Sequence, residues 1–372
     1  MDGKIKVLVF SIVEAKGGVS QFSLNWFKYI DKTKFCVGFL TFSPRISYEQ
    51  EIVGNGGRVI YLRNNPQKSK LLFIEEFSKI LQQGWDVLHI NTSFWKGTII
   101  EEIARTYKVP KIIVHAHSTG LGNTTPKQVE SILKKHYEVR ESLTSQFVTD
   151  YWACSEEAAE WLFGKQIPKS RIKIIKNAID TQKYQYSELV RLRMRQEYAI
   201  EKECVVGFVG RLEQPKNFEF IMELANSLVK EKKEIKFVIV GEGSKRAYIE
   251  KKINEYDIGD RFFLAGFQAN VQEWMQMIDI FILPSLFEGF PLVALEAQTA
   301  GLKCLVSPNM SKNVCITQNI EMLNLEIETW KSKILEWAEG YVRRSQHLEI
   351  QRNGYDIKDL VHTLEEEYMK NV

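Results

Sequence analysis

The sequence predicts two doubly wound, parallel α/β domains in tandem. Three observations carry this. Short β-rich runs alternate with helical patterns through the first half; the alternation restarts at Cys204 after a charged helical stretch; and a last amphipathic stripe follows the second series. The 372 residues suffice for two cores, and 44% hydrophobic with 12% aromatic content fills them, which excludes a disordered chain.

Lys4 to Phe10 reads as a buried strand, followed by a loop holding Gly17-Gly18 and a helix over Ser20 to Ile30, with Phe22, Phe27 and Ile30 on one face. Further strands are expected at Phe35 to Phe42, Arg58 to Tyr61, Val87 to Ile90, Lys111 to His115 and Tyr151 to Ala153. These form a first domain, 1–185. A charged helical stretch, Ser187 to Tyr198, opens the second, 186–352. Its strands are expected at Cys204 to Val209, Phe237 to Val240, Phe262 to Leu264, Ile280 to Leu283 and Lys303 to Val306, with helices starting near Asn217, Ser244, Val271 and Pro291. Ile357, Leu360, Val361, Leu364 and Tyr368 then form an apolar stripe, so 353–372 reads as a helix packing back across the domains.

Charged residues among Met1 to Lys6 leave no room for an export signal, and no apolar run approaches the ~18 residues of a membrane span. Five cysteines (Cys36, Cys154, Cys204, Cys304, Cys315), odd in number and without a Cys-x-x-Cys pair, read as reduced, mostly buried thiols of a cytoplasmic protein. The net charge of +3 hides an asymmetry. Residues 1–185 hold 26 Lys and Arg against 18 Asp and Glu, and the remainder is acidic. The basic half either faces an anionic partner, a phosphate-bearing acceptor or membrane surface, or reflects a chance imbalance on solvated faces. Lys127, Lys134, Lys135, His136 and Arg140 share an expected helix there, as a solvated face or a docking surface.

Ligands of doubly wound sheets sit beyond the carboxyl ends of the strands, so two such domains imply a cleft between them. The most informative stretch runs from Leu283 to Gly301: a strand end, a loop with Glu288 and Gly289, and a helix opening at Pro291. Its first backbone N–H groups, Phe290 to Val293 (through Leu292), face where a phosphate or sugar oxygen could sit. Glu288 and Glu296, with seven residues between them, can bond vicinal hydroxyls. After the strand ending at Val209 come Gly210, Arg211 and Lys216; the two cations can converge on a diphosphate, one as a planar fork and one as a point charge. Val240-Gly-Glu-Gly-Ser244 is an incomplete dinucleotide fingerprint, because Arg246 replaces the third glycine, and this disfavours a nicotinamide oxidoreductase. Phe267 can stack on a base or fill the core. In the first domain Gly17 and Gly18 permit close ligand approach. His115 and His117 share a face, but no Cys or carboxylate joins them at ligand spacing, so no metal site is expected.

The Glu-x7-Glu pattern within Phe287-Glu-Gly-Phe-Pro-Leu, with the Gly-Arg…Lys-Asn run at 210–217, resembles the retaining glycosyltransferases of the GT-B fold, family four. Val-Gly-Glu-Gly at 240–243 and Leu264-Ala-Gly-Phe267 are similar to further turns of that family. The resemblance implies that Glu288 contacts the donor sugar, Glu296 holds the ribose hydroxyls, and Arg211 and Lys216 neutralise the leaving diphosphate. It implies that the Gly17-Gly18 loop faces donor phosphate and acceptor. It also implies that a histidine of Val114-His-Ala-His-Ser118 meets the donor, with His117 preferred over His115. Residues 301–325 look most like the branch acting in exopolysaccharide or capsule synthesis.

The expected activity is therefore transfer of a hexose-type sugar, from a UDP-sugar, to a hydroxyl of a glycan acceptor carried on a lipid diphosphate. No cofactor or metal is expected, attack comes from the front face, and peripheral contact with the inner face of the membrane accompanies it. The rival readings are a nucleotide-sugar epimerase of the same architecture and a non-catalytic sugar-nucleotide-binding partner of a membrane polymerase.

Overall fold

A computed structural model of the chain describes residues 3–14, 17–121, 126–143, 146–231 and 234–372. Two compact units emerge: Met1–Ala178 with Ile357–Val372, and Ile179–Asp356.

The first unit runs β1 (Ile5–Phe10), α1 (Gly18–Tyr29), β2 (Phe35–Thr41), α2 (Glu49–Gly54), β3 (Arg58–Tyr61), α3 (Lys70–Leu81), β4 (Val87–Thr92), α4 (Ile99–Thr106), β5 (Lys111–Ala116), α5 (Pro126–Glu141), β6 (Asp150–Ala153), α6 (Glu156–Phe163) and β7 (Ile172–Ile174). All seven strands are parallel, in the order β3-β2-β1-β4-β5-β6-β7. A parallel sheet covered by helices is buried on both faces, so its strands read as unbroken apolar runs. Alternate residues of β1 go to opposite cores. Leu8 packs with Phe73, Phe77 and Trp85, whereas Val7 and Val9 pack with Trp26, Phe27 and Trp152.

The second unit runs α7 (Glu188–Glu197), β8 (Cys204–Val209), α8 (Phe218–Glu231), β9 (Ile235–Val240), α9 (Arg246–Glu255), β10 (Phe262–Gly266), α10 (Val271–Met277), β11 (Ile280–Leu283), α11 (Leu292–Thr299), β12 (Lys303–Val306), β13 (Ile320–Met322), α12 (Ile327–Ala338) and α13 (His347–Arg352). Its parallel sheet has the order β10-β9-β8-β11-β12-β13. Ser187 caps α7, its side chain accepting the Val190 N–H.

The chain then returns to the first unit as α14 (Ile357–Met369), which packs on α1 and β1. Its expected stripe is the buried face: Ile357, Leu360, Val361, Leu364 and Tyr368 lie within the first unit's core. The Tyr368 ring stands 5.8 Å from Trp26 and 6.0 Å from Trp152, and its hydroxyl lies 2.7 Å from Nδ1 of the buried His89.

Several expectations are corrected. β7 and β13 are three-residue edge strands, too short to show a period. Pro291 is the cap of α11, with extended backbone (ψ 105°), and the helix opens one residue later. Of the cysteines only Cys154 and Cys304 are fully buried, while Cys315 is exposed; no disulfide joins the five. On α5, Lys134 and Lys135 are exposed, but His136 is buried. Its Nδ1 accepts the Trp95 N–H, its Nε2 faces the Trp161 carbonyl, and its ring stacks on Trp161, so it belongs to the core rather than to a basic face. The Lys127 side chain lies outside the described residues.

Candidate active site

In both sheets the strand order reverses about a central pair, β1/β4 and β8/β11, and the loops beyond these carboxyl ends part to opposite sides. Each sheet thereby opens a crevice beyond those strand ends. Both pairs of loops hold residues singled out by the sequence.

In the second unit β8 ends at Val209 and the chain turns through Gly210 at φ +152°. The turn is locked by its neighbour. Gly210 N–H donates to Val240, Leu212 N–H to Glu242 and Lys245 N–H to Leu212. This backbone-to-backbone contact explains the Gly-x-Gly after β9: a Cβ on Gly241 would stand 1.9 Å from the Gly210 carbonyl oxygen, and one on Gly243 would stand 2.5 Å from that of Leu212. The Ser244 hydroxyl chiefly, with its amide and the Arg211 charge, holds the Glu213 carboxyl below its ordinary range. Arg211 is exposed on this platform. Lys216 follows on a single 3-10 turn, Gln214–Lys216, ended by Asn217 in the left-handed region.

The loop after β11 is tied to that turn by the Leu286 N–H, which donates to the Pro215 carbonyl at 2.8 Å. The Lys216 ammonium and the Glu288 carboxylate form an ion pair, each side chain less than a fifth exposed. Ser285 Oγ donates to the same carboxylate oxygen at 3.1 Å. The two residues expected to touch leaving group and sugar are thus partners of one another. Gly289 accepts from the Ser311 N–H, and the Phe290 ring stacks on Tyr355 at 5.3 Å, which turns the backbone of 289–291 toward the opening of α11. No side chain caps α11, so its first amides keep their affinity for an anion.

Glu296 sits on α11, half-buried beside Tyr184 and Lys183. Burial pushes its carboxyl up to about 7, against the Tyr184 hydroxyl and the Lys183 charge. Phe267, just past β10, is 76% exposed, which overturns the core reading.

In the first unit Gly17 caps α1 and, with Gly18, lines a cavity beyond β1 and β4. His115 is fully buried and stacked on His89, whose Nε2 lies 3.1 Å from His115 Nδ1. His117 is half-buried, with Nε2 2.7 Å from Asn91 Oδ1, and Asn91 lines the cavity. Because Asn91 Nδ2 donates to Ser23 Oγ, its oxygen is the end that accepts, so His117 carries its proton on Nε2 and leaves Nδ1 as an acceptor. Burial lowers His117 to about 3 and takes His89 and His115 well below the usual range, so all three are neutral.

Sequence reasoning missed Ser285, Tyr184 and Asn91. Asn91 stands at the carboxyl end of a central strand, a position that could have flagged it. Tyr184 is over a hundred residues from Glu296, and only the folded chain joins them. Among the described residues no group of three His, Cys, Asp or Glu side chains is placed to hold a metal, and no helix is long and apolar enough to cross a membrane.

Two parallel doubly wound sheets with helices between their strands are the architecture of the GT-B glycosyltransferases. Residues 16–183 match the family model of "Glycosyltransferase Family 4" and residues 190–324 that of "Glycosyl transferases group 1"; the chain belongs to the family 4 glycosyltransferases and is an enzyme of that class. The "Putative glycosyltransferase EpsF" of Bacillus subtilis is 26% identical over 80% of this chain and 78% of its own. The "UDP-Gal:alpha-D-GlcNAc-diphosphoundecaprenol alpha-1,3-galactosyltransferase" of Escherichia coli is 25% identical over 85% and 82%. Among solved structures Anabaena Alr3699/HepE, crystallised with UDP, shares the fold at a TM-score of 0.79 and 17% identity, over 98% of this chain and 99% of that one.

Proposed function

We propose that this chain is a retaining, metal-independent glycosyltransferase that moves a hexose from a UDP-sugar to a hydroxyl of a lipid-diphosphate-linked glycan. The observation that carries the reading is the Lys216–Glu288 pair held beside the opening of α11. A cation, a carboxylate and free amides in one place suit a sugar diphosphate, whose negative charge grows as the bond to the sugar breaks. The Anabaena neighbour has also been crystallised with UDP-glucose, and the E. coli relative's name specifies a UDP-sugar and a diphosphoundecaprenol acceptor; both favour these substrates.

In the proposed reaction the acceptor oxygen bonds to the anomeric carbon on the face from which the diphosphate departs. The carbon–oxygen bond to the diphosphate breaks, and the acceptor proton passes to a diphosphate oxygen. Lys216, Arg211 and the first amides of α11 stabilise the departing charge. Glu288 bonds the sugar hydroxyls once Lys216 has turned to the phosphate, and Glu296 takes the ribose hydroxyls. Phe267, exposed past β10, stacks on the base. The first unit receives the acceptor. On α5, Lys135 is already paired with Glu138, so membrane contact there would rest on Lys134 and its neighbours.

Incubating the purified chain with UDP-glucose or UDP-galactose, with and without octyl glycosides, tests the reading. Release of UDP with a product that keeps the donor's anomeric configuration, unaffected by chelator, is expected. An inverted product or loss of activity on chelation refutes the mechanism. An epimerised donor without acceptor would favour the epimerase.

A further inference from the structure

The loop after β4 is fastened to the helices beside it by bonds of which one ends on a titratable atom. Ser93, Phe94 and Trp95 wall the cavity beyond β1 and β4, and three hydrogen bonds tie this segment to α5 and α6. The Trp161 indole N–H donates to the Ser93 carbonyl at 2.7 Å, the Trp95 indole N–H to the Leu162 carbonyl at 2.7 Å, and the Trp95 backbone N–H to His136 Nδ1 at 3.1 Å. Two of these end on carbonyl oxygens, which accept at any pH. The third ends on an imidazole nitrogen.

His136 is buried, and its partners fit one protonation state. Nδ1 is taken up as an acceptor, so the single ring proton sits on Nε2, 3.1 Å from the Trp161 carbonyl. A second proton would have to go onto Nδ1. That sets donor against donor and leaves the Trp95 N–H without its acceptor, which is costly in a buried place. The surroundings resist that proton: burial chiefly holds the imidazole below its usual range, the Trp161 carbonyl working against this and the Arg140 charge with it. Among the described residues Arg140 is the charged group that faces the ring; it stands one turn further along α5 and donates to the same Trp161 carbonyl at 3.4 Å. On α5 the Tyr137 ring lies 5.3 Å away, and α6 contributes the Trp161 ring, stacked at 4.3 Å.

We propose that His136 is a positioning residue: its neutral form latches the loop after β4 in place, and its protonation releases that loop. The release is graded. An imidazole freed by opening regains an ordinary value near 6.5, so at pH 5.5 the open form gains up to about tenfold on the closed one. The latch itself stands apart from any activity. Its bearing on sugar transfer rests on the transferase reading, in which the first unit receives the acceptor.

Amide hydrogen exchange of the full chain, read over residues 92–97 with β5 as the internal reference, tests the latch directly. After correction for intrinsic rates, protection of this segment in the parent should fall by up to about tenfold from pH 7.5 to pH 5.5 while β5 holds. His136→Asn, whose amide oxygen takes the place of Nδ1 and does not titrate, should keep the protection at both pH values. His136→Leu offers no acceptor and should lose about tenfold already at pH 7.5. With UDP-glucose or UDP-galactose saturating, which removes the influence of Glu296 on donor affinity, transfer to octyl glycosides should show an acceptor KM raised several-fold in His136→Leu at pH 7.5 and in the parent at pH 5.5. In His136→Asn it should stay near the parent's pH 7.5 value throughout. Protection that is independent of pH in the parent, or that falls equally in the parent and His136→Asn, overturns the latch. Should His136→Leu not fold, these two chains alone decide. Exchange that follows His136 while the acceptor KM does not overturns the positioning role. A parent that neither binds UDP nor consumes either nucleotide sugar overturns the transferase reading instead, and the exchange arm still decides the latch.

Discussion

Replacing Glu288 by Gln should tighten UDP binding while slowing the reaction. In the ligand-free chain the Lys216 charge is met by the Glu288 carboxylate, and the two side chains are 17% and 18% exposed, so solvent screens the pair only in part. A hydrogen bond to a charged group contributes about 1.5–3 kcal/mol net. An arriving diphosphate must take over that bond. Gln keeps the shape and the Ser285 contact but releases the ammonium. If roughly a third to a half of the pairing is recovered as affinity, UDP should bind about three- to tenfold more tightly, since 1.4 kcal/mol is tenfold. Lys216→Met removes the phosphate contact and should weaken UDP binding by about 10- to 100-fold. Turnover should fall roughly 10²- to 10³-fold in both. Titration calorimetry with UDP at fixed ionic strength, followed by initial rates, separates the two effects. The reasoning fails if Glu288→Gln weakens UDP binding as much as Lys216→Met, or if either variant turns over like the parent.

UDP affinity should rise by up to about tenfold from pH 6 to pH 8 as Glu296, held near 7, ionises, and Glu296→Gln should flatten that dependence in the same calorimetric titration. Gly241→Ala should cost about 3 kcal/mol or more in urea unfolding, because φ is +137° and the new Cβ would meet the Gly210 carbonyl oxygen; an unchanged midpoint would contradict the platform. Tyr368→Phe leaves the buried His89 Nδ1 without its hydroxyl and should lower stability by about 1–3 kcal/mol at pH 7, read from the same denaturant curves. His89, His115 and His117 hold folded pKa values below the unfolded value, so the unfolded chain takes up protons first. Their contribution should be complete above about pH 6.5 and lost as pH falls toward 3, seen as a falling thermal midpoint below pH 6.

The two-sheet plan was legible because each central strand is an apolar run bounded by turn residues, and Ile280–Leu283 and Lys303–Val306 fall where the sequence puts them. The stripe on α14 was legible for a similar reason: a 3.6-residue period needs no knowledge of the partner. Lys216 and Glu288 could be picked out one by one. That they bind each other could not, because 72 residues separate them and only the parallel register of β8 beside β11 brings their loops together. Phe267 shows the opposite failure. An aromatic near a strand end reads as core on average, and only the position of β10 at the sheet edge leaves it in solvent. Gly241 and Gly243 looked like an imperfect phosphate loop, whereas their strict need is to let two backbone turns touch.

The helix α14 is the last to be synthesised of the elements that complete the first unit, and the whole of the second unit precedes it on the ribosome. Until translation passes Met369, Trp26, Phe35 and Trp152 wait without the Tyr368 ring that covers them. A nascent chain of this protein therefore carries an uncovered aromatic seam while its whole second unit is made. Truncation before Leu360, which removes most of α14, should yield a sticky, chaperone-dependent product.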